Sequence, residues 1–378
     1  MTVQGKLMPL TYMIQHSGKH PLVMTNHEKG DDTLFINLKY ALRGCLLIAL
    51  LVTACAPAGV EQDQPESVAL KVGILPYISY APFFIAKEEG CFAEQGLQVE
   101  LVRPGNVSEA IVALVQGDLD VAGGTVNCGY LNAMARGAKI RYVADKSYIS
   151  PTSCTYAAFI ARRVLVEAGE LDSPAQLSGR RIAIPDSIRA SVLGYYIEAM
   201  LKTTDLTLDD IEIVNLPSPA QMEALEEGTV DLILTGEPWV SRILNAGHAL
   251  LWMPVQQVVP DYQHATILYG HTLLEENPDA GRRFMVAYLK AVRQYNQGKT
   301  ERNLEILAKH TGLERELLDQ LCLPPMRNDG RINVDSVLDF QEWAVEKGYL
   351  DSAVTEDQFW DPSFVEYANQ VLSTPLDD

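Results

Sequence analysis

From residue 68 onward, short apolar runs alternate with amphipathic stretches, and this alternation restricts the chain to parallel strands joined by crossover helices, an α/β fold. Val68–Leu75 reads as a strand. Pro82 opens a helix carrying Phe83, Phe84 and Ile85, which stops at Gly90, a position suited to glycine. Gln98–Val102 is the next strand, and Ser108 is expected to cap a helix with Ile111, Leu114 and Val115 on one face, closed by Gly117. Leu119–Ala122 and Ile140–Ala144 follow as strands. A second series contains strands at Arg181–Ile184, Ile211–Leu216 and Asp231–Leu234. Ser173-Pro-Ala-Gln176 and Ser218-Pro-Ala-Gln221 both carry the capping-box pattern. After a strand-like run at Ala265–Gly270 the chain becomes helical over Arg282–Asn296, Arg302–His310 and Val334–Lys347, which are expected to pack back onto the first lobe.

The two series share a segment. Ala113-Leu-Val-Gln-Gly117-Asp-Leu-Asp120-Val-Ala aligns with Ala224-Leu-Glu-Glu-Gly228-Thr-Val-Asp231-Leu-Ile, so one helix–strand unit is built twice. Asp120 and Asp231 are expected to stabilise local turns. The reading is two lobes, one from 68–160 with 262–372 and one from 161–261, joined by crossing segments near 155–162 and 259–266 as a hinged clamp.

Ahead of the lobes lies a leader. Lys39 and Arg43 precede an uncharged apolar run at 44–54, which is too short to span a bilayer and has the length of a signal-peptide core. It ends in Val52-Thr53-Ala54-Cys55, which looks like a bacterial lipobox with Cys55 as the lipidated residue. Residues 1–55 are therefore assigned to leader and signal peptide, and 56–67 to a flexible tether of about 20 Å. An acylated Cys55 would hold the protein at the extracytoplasmic face of the cell membrane.

Composition excludes other classes. With 30 Lys+Arg against 49 Asp+Glu, the chain lacks the clustered cations that nucleic acid requires. Cys91, Cys128, Cys154 and Cys322 form no CxxC pair, so no zinc site is expected, and their pairing stays open. His248, His264, His271 and His310 lack metal-ligand spacing and read as ordinary surface or core residues. No cofactor is expected, and no nucleophile–base cluster points to catalysis.

Ligands of α/β sheets sit beyond the carboxyl ends of strands. Four junctions qualify here: Tyr77-Ile-Ser79-Tyr80, Gly123-Gly124-Thr125-Val-Asn127, Asp186-Ser187-Ile-Arg189-Ala-Ser191 and Thr235-Gly-Glu237-Pro-Trp239, with Tyr148 as a further contact. Tyr77, Tyr80, Tyr148 and Trp239 are candidates to sandwich a planar ring. Glu237 is a candidate acceptor, and Thr125, Asn127, Ser187 and Ser191 are candidates to orient the ligand. Arg189 reads equally as an anion partner or a solvated side chain.

The ordered set Lys71-Val-Gly-Ile-Leu-Pro-Tyr77, Ala81-Pro-Phe-Phe-Ile-Ala-Lys-Glu-Glu-Gly90, Gly117-Asp-Leu-Asp-Val-Ala122, Leu177-Ser-Gly-Arg-Arg-Ile-Ala183 and Gly236-Glu-Pro-Trp239 resembles the substrate-binding proteins of ABC importers. The resemblance is to the group related to thiamin-pyrimidine synthases and to the taurine, sulfonate and nitrate binders. It implies a periplasmic-binding-protein fold of the second type, with the ligand between the lobes and permease and ATPase subunits as partners. The synthases' Cys-rich stretch has no counterpart, because Cys128 stands alone. The count of aromatics makes riboflavin the first choice of small-molecule ligand. Sulfonate, nitrate or a thiamin pyrimidine is the alternative. A synthase-like enzyme and a sensing or adhesive lipoprotein without a transporter are readings of other classes.

Overall fold

The computed structural model describes residues 67–185 and 189–373. Ten strands in it form two five-stranded sheets of matching design. The first contains β1 (Val68–Gly73), β2 (Leu97–Val102), β3 (Val121–Thr125), β4 (Arg141–Ile149) and β10 (Tyr262–Tyr269), in the order β2-β1-β3-β10-β4. The second contains β5 (Ala157–Arg162), β6 (Arg181–Ile184), β7 (Glu212–Asn215), β8 (Leu232–Gly236) and β9 (Ala249–Pro254), in the order β7-β6-β8-β5-β9. In each sheet three parallel strands are followed by one antiparallel strand, β10 or β5. That fourth strand is delivered by chain arriving from the other lobe.

The duplicated segment explains the match. Gly117 and Gly228 both end their helices with positive φ, 83° and 73°, which glycine adopts without a Cβ clash. Asp120 and Asp231 then reach across to the neighbouring strand. The Asp120 carboxylate accepts the Lys71 backbone N–H at 2.8 Å, and Asp231 accepts that of Arg181 at 2.9 Å. These aspartates thus join strands 49 and 50 residues apart, not the local turns expected.

Three other expectations change. The crossing segments are 150–156 and 255–261, because the stretches assigned to the hinge are largely β5 and the start of β10. β5 lies wholly in the second sheet, paired with β8 and β9, so a boundary at residue 160 cuts a strand. Second, Asn106, not Ser108, caps the helix Val107–Gln116, accepting the Glu109 N–H at 2.9 Å. Third, the Ser173 capping box forms on a single turn, Pro174–Leu177, while Ser218 turns away from its helix toward Thr235.

The first lobe's core is aromatic. Phe284, on the helix Pro278–Tyr295, meets Phe83, Phe92 and Tyr269 with ring centroids 5.0–6.2 Å apart, each ring nearly or fully buried. Burying each contributes about 1.5–3 kcal/mol. The helix Val334–Glu346 departs from the expectation that it serves the first lobe alone. Asp339 accepts hydroxyls from Tyr262 of the first sheet and Tyr195 of the second lobe at 2.8 and 2.6 Å. Trp343 donates to Glu198 at 2.8 Å, and Lys347 pairs with the same carboxylate. This helix straps the two lobes. A disulfide, Cys154–Cys322, adds a second tie, from the first crossing segment to the loop after the helix Arg315–Gln320.

Candidate ligand cleft between the lobes

The carboxyl ends of β1, β3, β6 and β8 converge on one cleft of roughly 770 Å³, part of it open to solvent. All four junctions read from the sequence reach it, through Tyr77, Ser79 and Tyr80, then Gly124 and Thr125, then Pro185 and Ser191, then Thr235 and Glu237. Leu75, Val107, Ala157, Leu193, Ala265 and Pro324 supply apolar wall.

The dominant charge was not anticipated. Lys146, from the middle of β4, is 3 % exposed, and its ammonium lies 3.8 Å from the centre of the Tyr80 ring. Nζ donates to Ser79 Oγ at 2.5 Å, and among the described residues no carboxylate lies within ion-pair distance of it. Burial pushes its pKa down to about 7. Asp145 next to it faces away, held by Gln263 Nε2 and the Arg327 N–H, both at 2.7 Å, and burial pushes that carboxyl up to about 7. Lys146 therefore presents its charge to the cleft. The only sequence trace is a charged Asp-Lys-Ser interrupting the apolar run of β4.

Tyr80 is anchored, its hydroxyl donating to the Gly123 carbonyl at 2.5 Å. Gly123 also makes room for the lysine, because a Cβ there would lie 2.8 Å from Lys146 Cδ and 3.2 Å from the Tyr80 ring. Gly123→Ala is expected to push the lysine chain off its track and weaken ligand binding about tenfold, at a cost to stability of about 1–3 kcal/mol. Calorimetric titration and a thermal melt of the variant check both values.

The remaining candidates divide. Tyr77, Tyr80, Thr125, Ser191 and Glu237 line the cleft, and Tyr77 reaches Ser218 Oγ at 3.4 Å. The Glu237 carboxylate is already engaged, accepting from Ser241 N–H and Oγ at 3.1 and 2.7 Å and from the Cys322 N–H at 3.0 Å. These contacts brace the carboxylate within the fold at the wall of the cleft. Asn127 and Ser191 cap the helices Cys128–Ala135 and Val192–Leu201. They also bring the lobes together, with the Cys128 N–H on the Ala190 carbonyl at 2.9 Å and the Val192 N–H on that of Val126 at 3.0 Å. Asn127 is fully buried behind this seam, outside the cleft lining.

Three residues lie elsewhere. Tyr148 packs beneath Arg327, whose guanidinium is 4.1 Å from the ring centre. Arg189 is exposed and bonds the Leu208 carbonyl at 3.4 Å. Trp239 faces a neighbouring cavity. Ser187 and Cys55 fall outside the described residues. Tyr156 and His264, which sit in no motif of the sequence, also line the cleft. Burial pushes the His264 imidazole down to about 3, so it faces the cleft uncharged, with Nδ1 3.2 Å from the Tyr196 hydroxyl. No His/Cys/Asp/Glu cluster suited to a metal occurs among the described residues.

Two α/β lobes closing on a cleft at their strand ends define the periplasmic-binding-protein fold. Solved structures share it: the periplasmic nitrate-binding protein NrtA of Synechocystis PCC 6803 (TM-score 0.67, 17% identity, covering 82% of this chain and 90% of that one) and the alkanesulfonate-binding protein SsuA of Xanthomonas axonopodis pv. citri bound to MOPS (0.61, 18%, 80% and 98%). The desulfurization enzyme DSZB also has this fold (0.57, 15%, 81% and 99%). The chain belongs to the NMT1-like family, whose model matches residues 63–309. Bicarbonate-binding protein CmpA of Synechococcus elongatus is 24% identical over 204 residues, which are 50% of this chain and 45% of CmpA. The chain thus matches about half the length of that relative.

Proposed function

We propose that this protein is the solute-binding component of an ABC importer and captures a small organic or inorganic anion between its lobes. The observation that carries the reading is Lys146, a buried cation aimed into the cleft beside Ser79 Oγ, with no carboxylate within ion-pair distance among the described residues. An uncompensated buried charge is costly, and a ligand anion is the natural counter-charge. Relatives named for bicarbonate and nitrate binding support it, as does a sulfonate binder with the same fold. The apolar wall of the cleft, with Leu75, Val107, Leu193 and Pro324, favours an anion carrying an organic body, such as an alkanesulfonate or carboxylate, over bare nitrate. Ser79, Thr125, Ser191 and Thr235 are the hydroxyls to orient it. Riboflavin loses the argument that favoured it, because two of its four expected stacking rings, Tyr148 and Trp239, lie outside the cleft lining.

Capture proceeds by closure. A ligand touching both lobes binds the closed arrangement better and so draws the lobes together, without turnover. The ligand is then handed to permease and ATPase partners. The disulfide fits an oxidising, extracytoplasmic setting, with Cys55 proposed as the lipid anchor. Mass spectrometry of membrane-extracted protein tests the anchor, since an unmodified Cys55 removes it.

Calorimetric titration with nitrate, bicarbonate, ethanesulfonate, taurine and riboflavin tests the ligand class. Saturable binding of an anion supports the proposal, and binding of riboflavin alone overturns it. The pH dependence is specific. Below the Lys146 pKa of about 7 the amine is charged and anion affinity is flat. Above it, affinity falls by about tenfold per pH unit as the empty cleft loses its proton. Asp145 gains a proton over the same range on acidification, which acts in the same direction.

A further inference from the structure

Beside the main cleft is a second, smaller cavity, part of it open to solvent and also walled by both lobes. Ile78, Phe84, Arg103 and Leu313 come from the first lobe, and Trp239 and Arg242 from the second. Its walls are mainly apolar, yet it holds two guanidinium groups. The Arg242 guanidinium lies 4.9 Å from the centre of the Trp239 ring, and among the described residues no carboxylate comes within ion-pair distance of it. An arginine placed over a ring keeps its in-plane N–H edge available for an oxyanion. The Trp239 Nε1 is buried with no acceptor among the described residues. Arg103 gives one N–H to the His310 carbonyl at 3.2 Å, and His310 pairs with Glu88 while stacking on Phe84. Arginine edges and an indole N–H with no acceptor among the described residues, set in an aromatic box, are complementary to one class of molecule.

The geometry points to a second binding site here, for a small organic monoanion with an apolar body, an aryl or branched aliphatic sulfonate or carboxylate. Its anionic head meets Arg242 and the Trp239 N–H, and its body lies against Phe84, Ile78 and Leu313. Because both lobes form the walls, an occupant favours the closed arrangement and strengthens capture in the main cleft, and capture strengthens it in return. The site does not depend on which solute the main cleft takes.

Benzenesulfonate is the probe, titrated calorimetrically into the full chain carrying Lys146→Met, which removes the main cleft's cation. The expected result is saturable binding, weakened at least tenfold by adding Arg242→Gln and several-fold by adding Trp239→Phe, with all three proteins melting cooperatively. Absence of saturable binding to the Lys146→Met protein, or equal binding with and without Arg242, overturns the inference. A parallel titration of the Arg242→Gln protein with the main-cleft anions reads the importer proposal separately, so the two can fail independently.

Discussion

Lys146→Met is expected to lower affinity for the cleft anion by two to three orders of magnitude while raising the melting temperature of the unliganded protein. The two effects share one cause. Removing one partner of a buried charge pair costs about 3–5 kcal/mol, which sets the loss of affinity. The same lysine, alone, is a burden on the fold, because its pKa falls from 10.5 to about 7 on burial. The sign follows from the unfolded chain holding the proton more tightly. Stability therefore rises with pH from about 7 toward 10.5, and the penalty, up to roughly 5 kcal/mol, is largest below 7. Methionine keeps the alkyl packing beside Gly123 and removes the charge. Melting curves at several pH values should show the variant ahead of wild type by several degrees near neutrality, with the gap closing in alkali. A variant that binds the anion normally, or melts lower at every pH, contradicts this role.

Cys154→Ser with Cys322→Ser is expected to cost about 3–5 kcal/mol of stability, since the bridge encloses a segment of 168 residues and removes unfolded-state freedom on that scale. It should also weaken the ligand. The Cys322 N–H braces Glu237 from the second lobe, and Pro324 two residues later lines the cleft. Loosening this loop frees both contacts. Urea unfolding and calorimetry on the double variant measure the two losses. Unchanged stability under non-reducing conditions would mean that the bridge contributes nothing to the folded chain.

Legibility in the sequence followed local chemistry. The strand ends at Tyr77–Tyr80, Gly123–Thr125 and Thr235–Glu237 stood out because Gly and hydroxyl residues interrupt apolar runs, and all three reach the cleft. The Gly117/Gly228 repeat was readable because a helix stop and a buried strand leave fixed residues in order. Lys146 was not. A single lysine inside a strand carries no periodic signal, and what makes it functional is burial created by Tyr80, Gly123 and the second lobe. β5 is hidden in the sequence because Ala157-Ala-Phe-Ile-Ala-Arg162 has three alanines and no period-two alternation, and its place in the sheet comes from β8 and β9 on either side. In the sequence, polar residues at strand ends such as Asn127 and Glu237 suit a cap, a brace or a ligand contact equally well. Only the partner atoms, the Tyr130 N–H for one and those of Ser241 and Cys322 for the other, distinguish these roles. Trp239, one turn beyond the β8 end, enters the neighbouring cavity instead.

Everything functional here rests on a half-neutral ammonium waiting between the lobes for a negative guest. Calorimetry of ligand binding near pH 8, repeated in buffers of different ionisation enthalpy, counts the protons exchanged. Uptake of nearly one proton per anion bound, lost in Lys146→Met, is the predicted result. Tight binding with no proton uptake, or the same uptake in the variant, would contradict it.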